Sequence, residues 1–214
     1  MYSLVELFKK TNWTKYEAVE DVHYALIREG NTLFIYFEPS KGIDWAFNFM
    51  FKRVPYKDMK IPYKAHKGFV NCWKKVEDII IAAIADETIE EIVIAGYSHG
   101  GALAMLCHEC CWFHRADIRD NIWGIGFEAP RVYGEKQLNE DLAERWDHFM
   151  VIQNSNDIVT HLPPTFFRYT HVGKLICLQP QKKIGLFKAH MPDSVIEALE
   201  NFTFNENWQE IFSL

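Results

Sequence analysis

A serine set between two glycines, in Gly96-Tyr-Ser-His-Gly-Gly-Ala-Leu-Ala104, constrains this chain more than any other feature. The apolar run Glu91-Ile-Val-Ile-Ala95 precedes it and reads as a short buried strand. Ala102 to His114 follows with helical composition. Strand, tight turn and helix form the context in which a G-x-S-x-G turn presents its serine. A serine on so sharp a turn takes an unfavourable backbone conformation, and crowding requires neighbours two residues away to be nearly free of side chain. The turn lifts the Ser98 hydroxyl clear of the sheet. It also aims the first N–H groups of the helix at any negative charge that develops beside it. Ser98 is the candidate nucleophile.

The other segments give the order of elements. Thr14 to Glu29 is expected as a helix, with Val19, Val22, Tyr24, Ala25 and Ile27 apolar and Gly30 as its stop. Asn31 to Glu38 is expected as a strand. Lys41 to Phe51 is aromatic-rich and fits helix or strand equally, and Pro55 and Pro62 bracket a loop. From Gly68 to Asp86, apolar residues recur at helical spacing, among them Phe69, Val70, Trp73, Val76, Ile80 and Ile84. A strand over Asn121–Phe127, a short helix near Glu135–Ala143 and a strand over His148–Asn154 follow. Two strands around Gly173 and a helix over Pro192–Asn201 complete the chain. Strands alternating with helices predict an α/β fold with a mostly parallel central sheet flanked by helices. Residues 1–214 suffice for a single such domain. In sheets of this kind the site lies at the carboxyl ends of the strands, where Ser98 falls.

Composition excludes several classes. The chain is 49% hydrophobic and 24% charged, an ordinary folded composition. Net charge is −6 with no block of basic residues, so nucleic acid is not an expected partner. No apolar stretch approaches the ~20 residues needed to span a bilayer. Met1 to Lys10 lacks the basic start and apolar run of a signal peptide, and the expected location is cytoplasmic. Five cysteines, an odd number, fit free thiols in a reducing compartment. Cys107, Cys110 and Cys111 lie beside His108 and His114. The pairs Cys107/Cys111 and Cys110/His114, each four residues apart, point in different directions on a helix, so buried inert thiols are expected and no metal. Nothing in the sequence calls for a cofactor.

A serine needs a base, usually histidine, and a carboxylate that orients the base. In this type of fold the order is serine, acid, histidine. The acids at strand ends after Ser98 are Glu128 and Asp157. Asp157, in the loop-forming stretch Asn154-Ser-Asn-Asp-Ile-Val159, is the better placed, and Glu128 fits an orienting role. Three histidines follow. His161 is only four residues on, and His171 falls in an expected strand. His190, in a loop ahead of the last helix, is the favoured base, with His171 its main rival.

The elbow resembles that of the class 3 lipases, the fungal-type triacylglycerol lipase family, whose fold is the α/β-hydrolase fold. Other pieces are similar over about residues 31–200. They are His66-Lys-Gly-Phe69, Ala129-Pro-Arg-Val132, Asn156-Asp-Ile-Val159 with Leu162-Pro-Pro164, and Tyr169-Thr-His-Val-Gly173. The resemblance implies Asp157 as the catalytic aspartate and His190 as the base, since the histidine of the Y-x-H-V-G segment is not the base. It also implies an oxyanion loop at Phe37-Glu-Pro-Ser40, where the family often has F-R-G-T or F-R-G-S. Ser40 keeps the serine and is the first oxyanion donor implied, with the His99 backbone N–H as the second. Glu38 and Pro39 depart from the pattern.

The implied activity is hydrolysis of carboxylic esters, as a lipase or esterase, through an acyl-enzyme. The partner is then a small-molecule or lipid ester, with transient contact at a lipid interface. Trp45, Phe47, Phe49 and Phe51 fit a lid or acyl-chain wall, and their alternation fits a half-buried strand equally. Two alternatives stay open. One is a hydrolase-like binding module with weak or no catalysis, motivated by the altered loop; the other is a thioesterase or amidase using the same three residues.

Overall fold

A computed structural model describes residues 2–39, 52–55, 64–134, 144–179 and 184–202. The chain opens with helix α1 (Leu4–Trp13), started by a capping box in which the Glu6 N–H donates to Ser3 Oγ and the Ser3 N–H donates to the Glu6 carboxylate. Strands β1 (Glu17–Val19), β2 (Val22–Glu29) and β3 (Thr32–Phe37) follow, then β4 (Arg53–Pro55) and β5 (Lys64–His66). Helix α2 (Lys67–Ile84), strand β6 (Glu91–Tyr97) and helix α3 (His99–His114) lead to β7 (Ile122–Phe127) and β8 (Tyr133–Gly134). Strand β9 (Phe149–Asn154), strands β10 (Tyr169–Thr170) and β11 (Lys174–Leu178), and helix α4 (Pro192–Asn201) complete the described strands and α-helices.

The main sheet runs β1-β2-β3-β6-β7-β9-β11. From β3 to β11 every pairing is parallel, whereas β1–β2 and β2–β3 are antiparallel. A smaller antiparallel sheet runs β10-β8-β5-β4. The period of two along each strand divides the core between the two faces of the main sheet. Leu33, Ile35, Phe37, Ile92 and Ile94 face α2 and α3. Phe34, Tyr36, Val93, Ala95 and Tyr97 face α1 and α4, where Leu7 and Phe8 are fully buried. Burying those two side chains stabilises the fold by about 2 kcal/mol each. Helix α3 is covered on every side, with Gly100 through Cys111 buried.

The helix expected over Thr14–Glu29 is not present: this stretch is β1 and β2. Val22, Tyr24 and Leu26 join one core, and Ala25 and Ile27 the other. A strand buried on both faces shows a nearly continuous apolar run, which imitates a helical pattern. Gly30, at φ +60°, is not a helix stop but forms with Asn31 the two-residue turn of a hairpin in which Glu29 pairs with Thr32. Helix α1 was not anticipated, although Ser3-Leu-Val-Glu6 carries the capping signal. The strand at Asn31–Glu38 and the helices at Gly68–Asp86 and Pro192–Asn201 are present to within a few residues. The segments expected at Lys41–Phe51 and Glu135–Ala143 lie outside the described residues.

One acid is buried within α3. Glu109 accepts from Tyr133 Oη at 2.7 Å and from Arg145 Nη1 at 3.1 Å, and burial pushes its carboxyl up to about 7 despite these donors. A carboxyl raised above its unfolded value stabilises the fold fully below about 4.5, and that contribution is lost as pH rises through about 7. Glu109→Gln is therefore expected to remove about 2 kcal/mol of the fall in stability between pH 5 and pH 8. Urea unfolding of both proteins at the two pH values measures it.

Candidate active site

The register of the parallel strands sets the site. Phe37 lies opposite Gly96, Tyr97 opposite Phe127, and Phe127 opposite Ile152, so the carboxyl ends of β3, β6, β7 and β9 are level. Ser98 sits in the turn from β6 to α3 at φ 57°, ψ −121°, a conformation that costs a non-glycine residue on the order of 1–3 kcal/mol. Its N–H donates to the Phe127 carbonyl at 2.8 Å, which ties the strained residue to the neighbouring strand. The glycines around it are required by contact. A Cβ on Gly96 would stand 2.1 Å from the Gly100 carbonyl oxygen, and one on Gly100 would stand 2.3 Å from the Phe37 oxygen. The backbone at the start of α3 thus lies directly on the end of β3, where the segment toward Ser40 begins.

Three predicted residues meet here. Ser98 Oγ lies 2.8 Å from His190 Nε2, and His190 Nδ1–H donates to Asp157 Oδ2 at 2.5 Å. The donation to Asp157 sets the tautomer and leaves Nε2 as the acceptor for the serine proton. Asp157 is fully buried, and its Oδ1 accepts the Val159 N–H at 2.8 Å within the loop after β9. His190 precedes α4, which is seated on the sheet through Val195, Ala198 and Leu199. Tyr97 holds it from beneath: its hydroxyl donates to the His190 carbonyl oxygen, and its ring stacks on the imidazole at 5.2 Å. Sequence reasoning missed Tyr97, which looked like one more strand residue.

The rival histidines have other partners. His171 Nε2 hydrogen-bonds the Thr160 carbonyl at 2.8 Å in the segment between β10 and β11, and burial pushes the ring down to about 4, so it is neutral at pH 7. His161 Nδ1 sits 2.8 Å from the Asp157 carbonyl oxygen, bracing the loop instead of reaching the serine. His99 packs its ring 5.6 Å from Phe69, and desolvation lowers it to about 4. Its backbone opens α3, where a first-turn N–H points out along the helix axis. Glu38, the departure in the oxyanion loop, turns its carboxylate to His23 Nδ1 on β2, and its own N–H donates to the His23 carbonyl at 3.2 Å. Ser40, Trp45, Phe47 and Phe49 lie outside the described residues. Glu128, the other acid candidate, is fully buried beside Asp157; oxygens of the two carboxyls and a ring nitrogen of His190 lie within 4.8 Å of one another.

Cys107, Cys110 and Cys111 are buried free thiols. Burial raises Cys107 and Cys110 above the usual thiol range, as expected of groups that serve as apolar packing.

The fold and site define a class: an α/β-hydrolase fold with a serine, a histidine and an acid hydrogen-bonded in line at the carboxyl edge of its parallel sheet. The sequence profile of Lipase (class 3) matches residues 39–167, more than half of the chain. The chain belongs to the class 3 lipase family. A lipase of Rhizomucor miehei is 27% identical over 159 residues, covering 70% of this chain and 43% of the relative. A secreted mono- and diacylglycerol lipase of Malassezia globosa is 27% identical over 127 residues, covering 55% of this chain and 38% of the relative. The chain thus spans less than half the length of these curated relatives. A solved triacylglycerol lipase, described as having a serine protease triad as its catalytic centre, superposes with a TM-score of 0.64 at 25% identity. The match covers 78% of this chain and 66% of that one. A propeptide complex of Rhizomucor miehei lipase shares the fold, with a TM-score of 0.64 at 22% identity, covering 86% and 66% of the two chains.

These relatives correct the cytoplasmic location. Those from Malassezia are described as secreted lipases, which points to an extracellular protein. The composition of the first residues reports packing, because Leu4–Trp13 is a helix docked on the core. Three of the five thiols are buried, so their reduced state says nothing of the compartment. Among the described residues no helix is long and apolar enough to cross a membrane.

The glycine contacts generate a test. Gly96→Ala is expected to lower stability by more than about 3 kcal/mol, because backbone must move to admit the methyl group. Gly30→Ala, where nothing lies within 4 Å, is expected to cost about 1 kcal/mol, from the positive φ alone. Urea unfolding compares the two.

Proposed function

We propose that the chain is a single α/β-hydrolase domain that hydrolyses carboxylic esters, lipid esters among them, through Ser98, His190 and Asp157. The observation that carries this reading is the unbroken hydrogen-bond line from the strained serine through Nε2 and Nδ1 of His190 to a buried carboxylate. Ser98 Oγ attacks the ester carbonyl while His190 Nε2 takes its proton. The buried Asp157 carboxylate stabilises the imidazolium that forms. Collapse of the tetrahedral intermediate releases the alcohol, which receives the proton from His190, and leaves an acyl-enzyme. Water activated by the same imidazole then frees the acid and restores the serine.

The His99 N–H at the start of α3 serves as one oxyanion donor and Ser40 as the other; a single such donor is worth ~3 kcal/mol in the transition state. The hold of His23 on Glu38 supports this role for the loop, since it fixes the chain two residues before Ser40. Trp45, Phe47 and Phe49 are the residues assigned to binding the acyl chain, on their aromatic character in the sequence. Lipid esters are favoured as substrates by the names of the relatives and by exposed apolar side chains on segments that carry the site. Leu186, Phe187 and Met191 flank His190, and Phe166 with Phe167 follows the Asp157 loop; Phe166 is 76% exposed. Such residues suit transient contact with a lipid interface.

Ser98→Ala is expected to abolish hydrolysis of a nitrophenyl ester series and labelling by a fluorophosphonate probe, with thermal unfolding nearly unchanged. Labelling that survives in the alanine variant rules out Ser98 as nucleophile. Turnover of an acyl-thioester in preference to every ester moves the assignment to a thioesterase. No turnover and no labelling of the unaltered chain leaves a binding module.

A further inference from the structure

Glu128 is the first residue beyond β7, and two features set it apart. It is fully buried, and it holds φ at +47°, a region that side-chain-bearing residues seldom occupy. Its N–H donates to the Ile152 carbonyl at 2.7 Å, and its Oε1 accepts the Asn154 N–H at 2.7 Å, so its backbone and carboxyl both clasp the end of β9. The other oxygen, Oε2, is buried with no donor in reach among the described residues. What the carboxyl faces is Asp157, close enough that oxygens of both acids and a ring nitrogen of His190 fall within 4.8 Å of one another.

Two carboxylates in one buried space repel, and one of them keeps a proton. Asp157 accepts two N–H donors, from Val159 on Oδ1 and from His190 on Oδ2, whereas Glu128 accepts one. Hydrogen bonds donated to a carboxyl favour its ionised form, so the proton belongs on Glu128. A proton on Oε2 turns that orphan acceptor into a donor, and the Asp157 carboxylate beside it is an acceptor.

We propose that Glu128 is a positioning residue: a neutral carboxyl whose Oε2–H donates to Asp157 and holds that carboxylate in line with His190. This rests on the hydrolytic reading above. Burial and the neighbouring Asp157 carboxyl push Glu128 well above the usual carboxylate range, in the same direction. The titratable groups that face it are Asp157 after β9, His190 before α4, Tyr97 at the end of β6 and Cys177 on β11. A neutral donor fixes the Asp157 carboxylate without adding a second negative charge next to the imidazolium. An ionised Glu128 would crowd Asp157 and hold the imidazolium too tightly to return its proton.

The test compares Glu128→Leu and Glu128→Gln, with Ser98→Ala as the chemical blank. Leucine keeps bulk and removes the donor. It is expected to lower kcat about tenfold on a short nitrophenyl ester, the scale of one hydrogen bond, with KM unchanged and the acid limb of the rate profile moved to higher pH. Glutamine still donates to Asp157 and accepts from Asn154, and is expected to recover most of that loss. A purely structural clasp would lower the unfolding midpoint in the leucine variant and leave the pH profile in place, which overturns the proposal. So does a leucine variant with the kcat and pH profile of the unaltered chain. Infrared difference spectra of unaltered chain minus Glu128→Gln, at pH 7, read the proton without any turnover. A protonated-carboxyl band in that difference supports the assignment, and its absence overturns it, even where the leucine variant does not fold. The same difference taken in the Ser98→Ala background decides the proton on Glu128 should the chain hydrolyse no ester, so the two readings fail separately.

Discussion

The close approach of β6, α3 and β3 at the elbow is the constraint on which the rest of the molecule depends. Ser98 can hold φ 57° only because the Phe127 carbonyl takes its N–H and because glycines at 96 and 100 let backbone lie on backbone. Gly101 continues the pattern, since its Cβ would stand 2.8 Å from that of Ala129. With no side chains between them, the helix N-terminus, the serine turn and the end of β3 pack directly on one another. Helix α3 can follow this turn because it is buried on all sides, and its own thiols and small residues fill the core.

The acid and the base are brought to that serine by elements far from it in sequence. Parallel pairing of β7 with β9 levels the strand ends, so the loop after Asn154 emerges beside the elbow. His190 is held by α4 on the opposite face of the sheet and by Tyr97, the residue immediately before Ser98. Glu128 completes the arrangement by joining the ends of β7 and β9 through two hydrogen bonds. Among the described residues, two of the four that bear a side chain at positive φ, Ser98 and Glu128, fall at this edge, which is where backbone strain concentrates when geometry serves chemistry.

Much of this was legible beforehand because the signals are local. The elbow is written in nine consecutive residues, and the helices Lys67–Ile84 and Pro192–Asn201 show one apolar face each. Asp157 could be named because it follows a strand in a loop-forming stretch. The failures share a cause too. Val22–Glu29 is apolar toward both cores, so its spacing imitates a helix, and Gly30 suits a hairpin turn as well as a helix stop. His171 and His190 are alike as letters; only their surroundings separate a ring bonded to the Thr160 carbonyl from one between Ser98 and Asp157. The location inferred from the first residues failed because a terminal sequence reports its own packing.

By itself the sequence determined the strained elbow serine, the alternation of strand and helix around it, and the order in which an acid and a histidine follow. Those depend on short-range sterics: glycine where no side chain fits, apolar spacing where an element meets a core. Tertiary structure decided which histidine reaches Ser98, that Tyr97 supports it, and that Glu128 stands against Asp157. Those depend on strand register and on burial, which turn residues far apart in the chain into neighbours at hydrogen-bond distance and make an acid's charge depend on what surrounds it.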